Sequence, residues 1–529
     1  MKKIILGLLV VAIVWGGSSY LIGARVEALY TEALADIEVL PGQDGLRFRV
    51  VEYRRGIFSS KVRACLSVDD SLSKLAELSG YVCDKSTFRH GPIMWTSTGP
   101  WMGLAFSHGE LDMAPLPDEI RSVIAEVLGD NSPLYAEMWL SFDGSTRVRA
   151  WVPEFSIASA GVNAALGRLE LDAYMTALDV DTGKVFLTLR DLDISSEAGA
   201  DLAIGAIDMA LDVTDMIEGV LPLMQVKLQA AGIRVGSSAR HAWEDDTQVS
   251  FDMALEAVSE LKGDALSGEM SLWLTEVQAD SLTDSLADSP IMMPENVYMA
   301  LTYRGIDLDA AVRFQQITDE IDRLQVQTVM NMLAEPGAEP GDFSAETVFE
   351  QMTALTEELM VVLSERLMRP GETGATLRVL LDRDDVRQLS LDMRVDYDGI
   401  NGANVPLDEL MSLDEAQMLQ LARASLSADA DATLLSADLS GFIDDRLVSA
   451  GLATRDNGRY GITLALQGGE LVLNDETLTA SDVMERVSTL RTDTEITLEE
   501  IEACYEDYAD ISEVPDYCLE FGLSPYIEY

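Results

Sequence analysis

A chain of 529 residues with 37 Lys/Arg against 91 Asp/Glu carries a formal net charge of -54. That field repels nucleic-acid phosphates almost everywhere and excludes nucleic acid as a partner. With 48% hydrophobic residues, the chain is no disordered polyelectrolyte, and its length calls for more than one ordinary core.

The first element follows Met1-Lys2-Lys3: residues 4–23 hold no charge and, at about 1.5 Å per residue, would cross roughly 30 Å of hydrocarbon. Two readings fit. One is a retained membrane anchor over residues 1–24, built on Ile4, Leu8, Val11, Trp15 and Tyr20. The other is a signal peptide cleaved near Gly17-Ser18-Ser19. The apolar run continues through Tyr20-Leu21-Ile22, which favours the anchor, and both readings export the body.

Val26, Leu29, Tyr30, Ala33, Leu34 and Ile37 then mark one helical face, stopped by Pro41-Gly42. A hairpin follows, with a turn expected at Arg54-Arg55-Gly56, and Ser60, Val62 and Ala64 alternate onto one side. Cys65 and Cys83 lie close together, as do Cys504 and Cys518. Two local disulfides are the simplest of three connectivities, consistent with export.

Beyond the hairpin the chain becomes a succession of strands of period two. Examples are "KVFLTLR" through Val185, Leu187 and Leu189, "QVSFDMALEAV" through Phe251, Met253 and Leu255, and "EMSLWLT" through Met270, Leu272 and Leu274. Such alternation buries one face and wets the other, as antiparallel sheets do. Arg304-Gly305 resembles a strand-joining turn. Amphipathic helices are expected around Phe314 to Met332, Val348 to Leu363, Leu407 to Leu426 and Leu434 to Leu452, before a last hairpin "GRYGITLALQGGELVL".

The expected fold is therefore α+β: an N-terminal membrane anchor helix, then large, mostly antiparallel one-sided β-sheets with several amphipathic helices. The divisions are residues 1–24 (anchor), 25–313 (strand-rich), 314–490 (mixed) and 491–529 (an acidic tail with the second disulfide).

Catalytic and metal signatures are sparse. His90, His108 and His241 show no HExxH spacing, and no GxSxG, GxxxxGK[ST] or GxGxxG occurs. Ser71-Leu72-Ser73-Lys74 matches a bare SxxK without its companion elements, and "DVDTGK" places Lys184 where a calcium loop needs glycine. No catalytic residue, metal or cofactor is assigned.

Several segments together are more specific. They are the Tyr20-x-x-Gly23 end of the apolar run, Tyr53-Arg54-Arg55-Gly56-Ile57-Phe58-Ser59-Ser60, and His90-Gly91-Pro92 at a strand end. "LALQGGELVLNDETL" adds to them, with Asn474-Asp475 standing where Asn-Gly is expected. This combination resembles the YdgA-like family of bacterial envelope proteins, a family of unknown function. The resemblance implies a single-pass inner-membrane protein with a periplasmic body and scope for self-association. It marks Tyr53, Gly56, Phe58, Ser59, His90, Gly91 and Pro92 as structural motif residues.

Residues 1–63 hold nine Lys/Arg against six Asp/Glu, so Arg54, Arg55 and Lys61 would suit a basic foot facing anionic lipid. The expected function is a non-enzymatic binding protein for lipid or another hydrophobic ligand, on the apolar strand faces. The alternative is a scaffold or assembly factor acting through protein contacts or homo-oligomerisation.

Overall fold

The computed structural model describes residues 18–28, 30–31, 46–68, 82–129, 131–159, 161–176, 182–196, 200–237, 247–280, 294–333, 345–383, 386–406, 409, 412–435, 437–479, 482 and 486. The opening strands are β1 (Leu46–Arg55), β2 (Ser59–Val68), β3 (Cys83–His90), a small hairpin of β4 (Met94–Thr96) and β5 (Gly99–Trp101), and β6 (Ala105–Leu111). After helix α1 (Asp118–Leu128) come β7 (Tyr135–Leu140), β8 (Thr146–Val152) and β9 (Phe155–Ser159). The long strands follow: β10 (Val162–Met175), β11 (Gly183–Ser196), β12 (Ala200–Ile217), β13 (Leu221–Ser237), β14 (Thr247–Lys262), β15 (Ala265–Asp280) and β16 (Asn296–Asp307). Helices α2 (Leu308–Leu333) and α3 (Ala345–Val361) lead to β17 (Gly374–Arg383), β18 (Val386–Tyr397), α4 (Glu415–Met418) and β19 (Ala422–Asp431). Finally come α5 (Ala437–Phe442), β20 (Thr454–Asp456), β21 (Arg459–Gln467), β22 (Glu470–Leu473) and β23 (Glu476–Leu478).

All strands except β4 and β5 join one 21-stranded sheet, antiparallel at every pairing. Nearly every strand pairs with its neighbours in sequence, so the sheet is a meander. Pro153 splits β8 from β9, and both lie along the same edge of β10, as expected for a residue with no N–H to give a ladder. The helical pair does not divide the sheet, because β16 and β17 on either side of it are adjacent strands. Ala310, Ile317 and Val362 form the core of that pair, and Arg313 grips the Glu358 carboxylate with two bonds of 2.7 and 2.8 Å.

At one level of the long strands a column of irregular residues crosses the sheet. Gly167, Asp191, Gly205 and Gly232 occupy successive strands, with positive φ at Asp191 (52°) and Gly232 (65°). The column ends in register shifts between Ala230 and Ile233 and between Ser250 and Asp252, the second opposite Glu276 at φ 54°. The apolar pairs flanking it are three residues apart: Leu166 and Leu169, Leu189 and Leu192, Ile204 and Ile207. An odd step returns apolar residues to one face only where a bulge absorbs the extra residue. Glycine suits positions 205 and 232: a Cβ on Gly205 would lie 3.1 Å from the Ala231 carbonyl oxygen, a tight contact, and Gly232 has positive φ. The Gly232 amide is satisfied by Asp252 Oδ1 at 2.6 Å.

Several expectations are corrected. The anchor helix followed by separate sheets gives way to one sheet, and no helix among the described residues is long and apolar enough to cross a membrane. Ile4, Leu8, Val11 and Trp15 lie outside the described residues. From residue 18 the helical segment packs on protein instead: Ser19 and Val26 are buried, with Val26 among Val62, Phe88, Ala105 and Leu140. Arg54 and Arg55 end strand β1, so the turn falls at Gly56 to Phe58. Arg304-Gly305 is internal to β16, where Gly305 (φ 70°) lies against the Glu372 backbone. Residues 422–426 are strand, because Ala424, Leu426 and Ala428 supply a period of two that the helical reading missed.

The Asn474-Asp475 pair joins β22 to β23 with φ of 49° and 67°, the two positive values of a type I′ turn. Asp475 holds a position that glycine occupies without steric cost. Asp475→Gly is expected to raise stability by up to about 1 kcal/mol, read as an increase in thermal midpoint with an unchanged far-UV spectrum.

Candidate functional site

Two features stand out: a buried polar latch between the N-terminal helix and the start of the sheet, and an uncharged face along the rest of it. At the latch, Ser60 on β2 and His90 at the end of β3 are only 2% and 1% exposed. His90 Nδ1 lies 2.9 Å from the Ser19 carbonyl oxygen, which can only accept, so Nδ1 carries the proton. Nε2 therefore accepts from the Ser60 hydroxyl at 3.1 Å. Burial lowers the His90 pKa below the ordinary imidazole range, against smaller opposing effects of its backbone hydrogen bonds.

The helix residues are matched to this pocket. A Cβ on Gly23 would sit 2.5 Å from His90 Cε1, so the helix seats only because Gly23 has no side chain. One turn on, Arg55 donates to Glu27 Oε2 at 2.7 Å and to the Tyr20 hydroxyl at 3.0 Å, with its guanidinium 4.7 Å from the centre of the Tyr20 ring. Tyr30 meets Phe88 edge-on at 4.8 Å, and burial beside Asp84 drives its hydroxyl pKa far upward. Burial likewise raises the pKa of Tyr53.

The motif segments thus converge. Tyr20, Gly23, Arg55, Ser60 and His90 form one contact. Gly91 leaves the strand at φ 138°, open to glycine, just before Pro92. Gly56 has another role than conformational freedom: its amide bonds the Ser59 carbonyl at 2.8 Å, leaving a Cβ only 2.7 Å from that oxygen. Phe58 stands exposed at the tip, where its carbonyl accepts from the His90 amide at 3.1 Å. Of the proposed basic foot, Arg55 is engaged by the helix, while Arg54 and Lys61 pair across the strands and are exposed. Cys65 and Cys83 are direct cross-strand partners joined by a disulfide, which staples β2 to β3. Cys504 and Cys518 lie outside the described residues. Ser19 and Glu27 join the latch unflagged by any motif, whereas Ser60 closes a motif segment and the period of β2 had already put it on the inner face.

The second feature emerges from register. Directly paired residues share a face, which places Leu171, Leu187, Met209, Leu228, Leu255, Leu272, Met299, Val379, Leu391, Ala428 and Ile462 in one unbroken row. The rows on either side, from Ala173 to Leu464 and from Leu169 to Tyr460, also contain no charge. Met270 and Leu301 on this face remain 37% and 38% exposed among the described residues, so no layer seals it there. The opposite face carries ion pairs such as Arg149–Glu170 (2.5 Å), Arg190–Asp208 (2.6 Å) and Arg378–Asp392 (2.6 Å).

These features define a protein built on a single antiparallel meander sheet, aliphatic on one face and ion-paired on the other, with a helix latched over its first strands. The chain belongs to the family described as bacterial protein of unknown function (DUF945), whose model matches residues 1–480. No curated protein and no solved structure matches it.

Gly23→Ala is expected to unseat the helix at a cost of about 1–3 kcal/mol, measured by denaturant unfolding. His90 adds a pH signature. With its folded pKa lowered, its contribution is complete above about pH 6.5 and is lost as pH falls toward the folded value, because the unfolded chain takes up the proton first. His90→Asn, which keeps a donor for the Ser19 carbonyl, should flatten that part of the stability profile relative to the wild type.

Proposed function

We propose that this chain is a non-enzymatic envelope protein that binds the acyl chains of lipid along its uncharged sheet face. The observation that carries the reading is the eleven-strand row from Leu171 to Ile462, flanked by equally uncharged rows and left partly open to water. An open aliphatic surface of this length is costly unless something apolar covers it. Its Leu, Val, Met and Ala side chains suit flexible hydrocarbon better than the aromatic anchors and arginines typical of protein contacts. A second copy is the other natural occupant, but stacking two chains of charge -54 works against that arrangement.

Ser60 and His90 support a structural rather than a catalytic role: both are sealed from solvent, and the imidazole is oriented by a backbone carbonyl rather than a carboxylate. Export to an oxidising compartment, with the body facing the periplasm, is supported by the Cys65–Cys83 disulfide. Assignment to the YdgA-like branch is supported by the convergence of its motif segments on the latch.

Native mass spectrometry of the full chain tests the binding reading. Bound lipid is expected in the wild type and should be lost in Met270→Glu with Leu301→Glu while the far-UV spectrum is kept. A lipid-free dimer dissociated by the same substitutions would transfer the face to the scaffold reading.

A further inference from the structure

On the ion-paired face, Trp139, Arg147, Tyr174, Lys184 and Asp212 are consecutive cross-strand partners on β7, β8, β10, β11 and β12. They border an open cavity of 710 Å³ that Trp101 also lines, within the range of roughly 300–1,000 Å³ usual for small-molecule sites. We propose that this cavity binds neutral oligosaccharides.

The Arg147 guanidinium lies 5.1 Å from the Trp139 ring and 5.0 Å from the Tyr174 ring, and Asp172 holds it at 3.0 Å. The buried Trp139 ring, 6% exposed, anchors the guanidinium, and the Tyr174 ring is thereby fixed as a flat platform before any ligand arrives. Tyr174 is 38% exposed, and Trp101 packs against the buried cluster of Met94, Phe106 and Trp139. Around these rings the lining is hydroxylic, including Ser141, Thr146, Thr176 and Thr214. Flat apolar surface surrounded by groups that both donate and accept suits a sugar ring, which presents C–H groups on its face and hydroxyls at its rim. The aliphatic face beyond the same strands offers neither.

Charge selects within the sugars. Each cation at the cavity is matched by a carboxylate, Arg147 by Asp172 and Lys184 by Asp212 at 2.5 Å. An anionic glycan gains no local attraction and meets the repulsion of a -54 chain, so the ligand is uncharged. This site is independent of the apolar face.

The test is an array of neutral oligosaccharides probed with the full chain, followed by calorimetric titration of the strongest binder. Saturable binding is expected, weakened about tenfold by Tyr174→Ala and by Trp101→Ala and unchanged by Tyr298→Ala, which lies far along the same face. No saturable binding up to millimolar sugar, or binding indifferent to both of the first two variants, overturns the proposal.

Discussion

Register is the constraint on which the molecule depends. In a sheet one layer thick, a slip of one residue between neighbouring strands moves an entire apolar set to the other side. Eleven strands here keep their aliphatic residues in line, although their sequences do not alternate perfectly. The column from Gly167 to Glu276 reconciles the two: each irregular residue absorbs one position, so the sets on both sides of it face the same way. The glycines at positions 205 and 232 and the Asp252 carboxylate bound to the Gly232 amide belong to that correction.

At the N-terminal end the governing physics is desolvation. Ser60 and His90 are removed from water, and a buried polar group without a partner is expensive. Once the helix is seated, the Ser19 carbonyl and the Ser60 hydroxyl satisfy both imidazole nitrogens. Gly23 makes that approach sterically possible, and Arg55 adds a peripheral clamp through Glu27 and Tyr20. The charge of Arg55, so conspicuous in an acidic chain, is thereby matched by a neighbouring carboxylate.

Much of this was legible in the amino-acid sequence, and the failures have physical causes. Period two correctly marked Val185 to Leu189, Met253 to Leu255 and Met270 to Leu274, and the spacing of Cys65 and Cys83 matched the pairing observed. Periodicity alone does not tell a membrane-facing residue from one packed on protein, so Ser19 and Gly23 read as the end of an anchor although they are latch contacts. Bulges break the pattern that identifies strands, which is why Gly305 was taken for a turn. The polar cavity was invisible because Trp139, Arg147 and Tyr174 meet only through pairing across strands.

A meander whose strands pair almost wholly with their chain neighbours has a further property. A hairpin added or removed among the long strands would require new pairing only at the point of change, much as a repeat array grows by one unit. Each strand widens the sheet by about 4.8 Å, so the row from Leu171 to Ile462 extends roughly 50 Å along the sheet. Strand count then works as a ruler: descendants of this architecture could be lengthened or shortened in discrete steps while the chemistry of both sides is preserved.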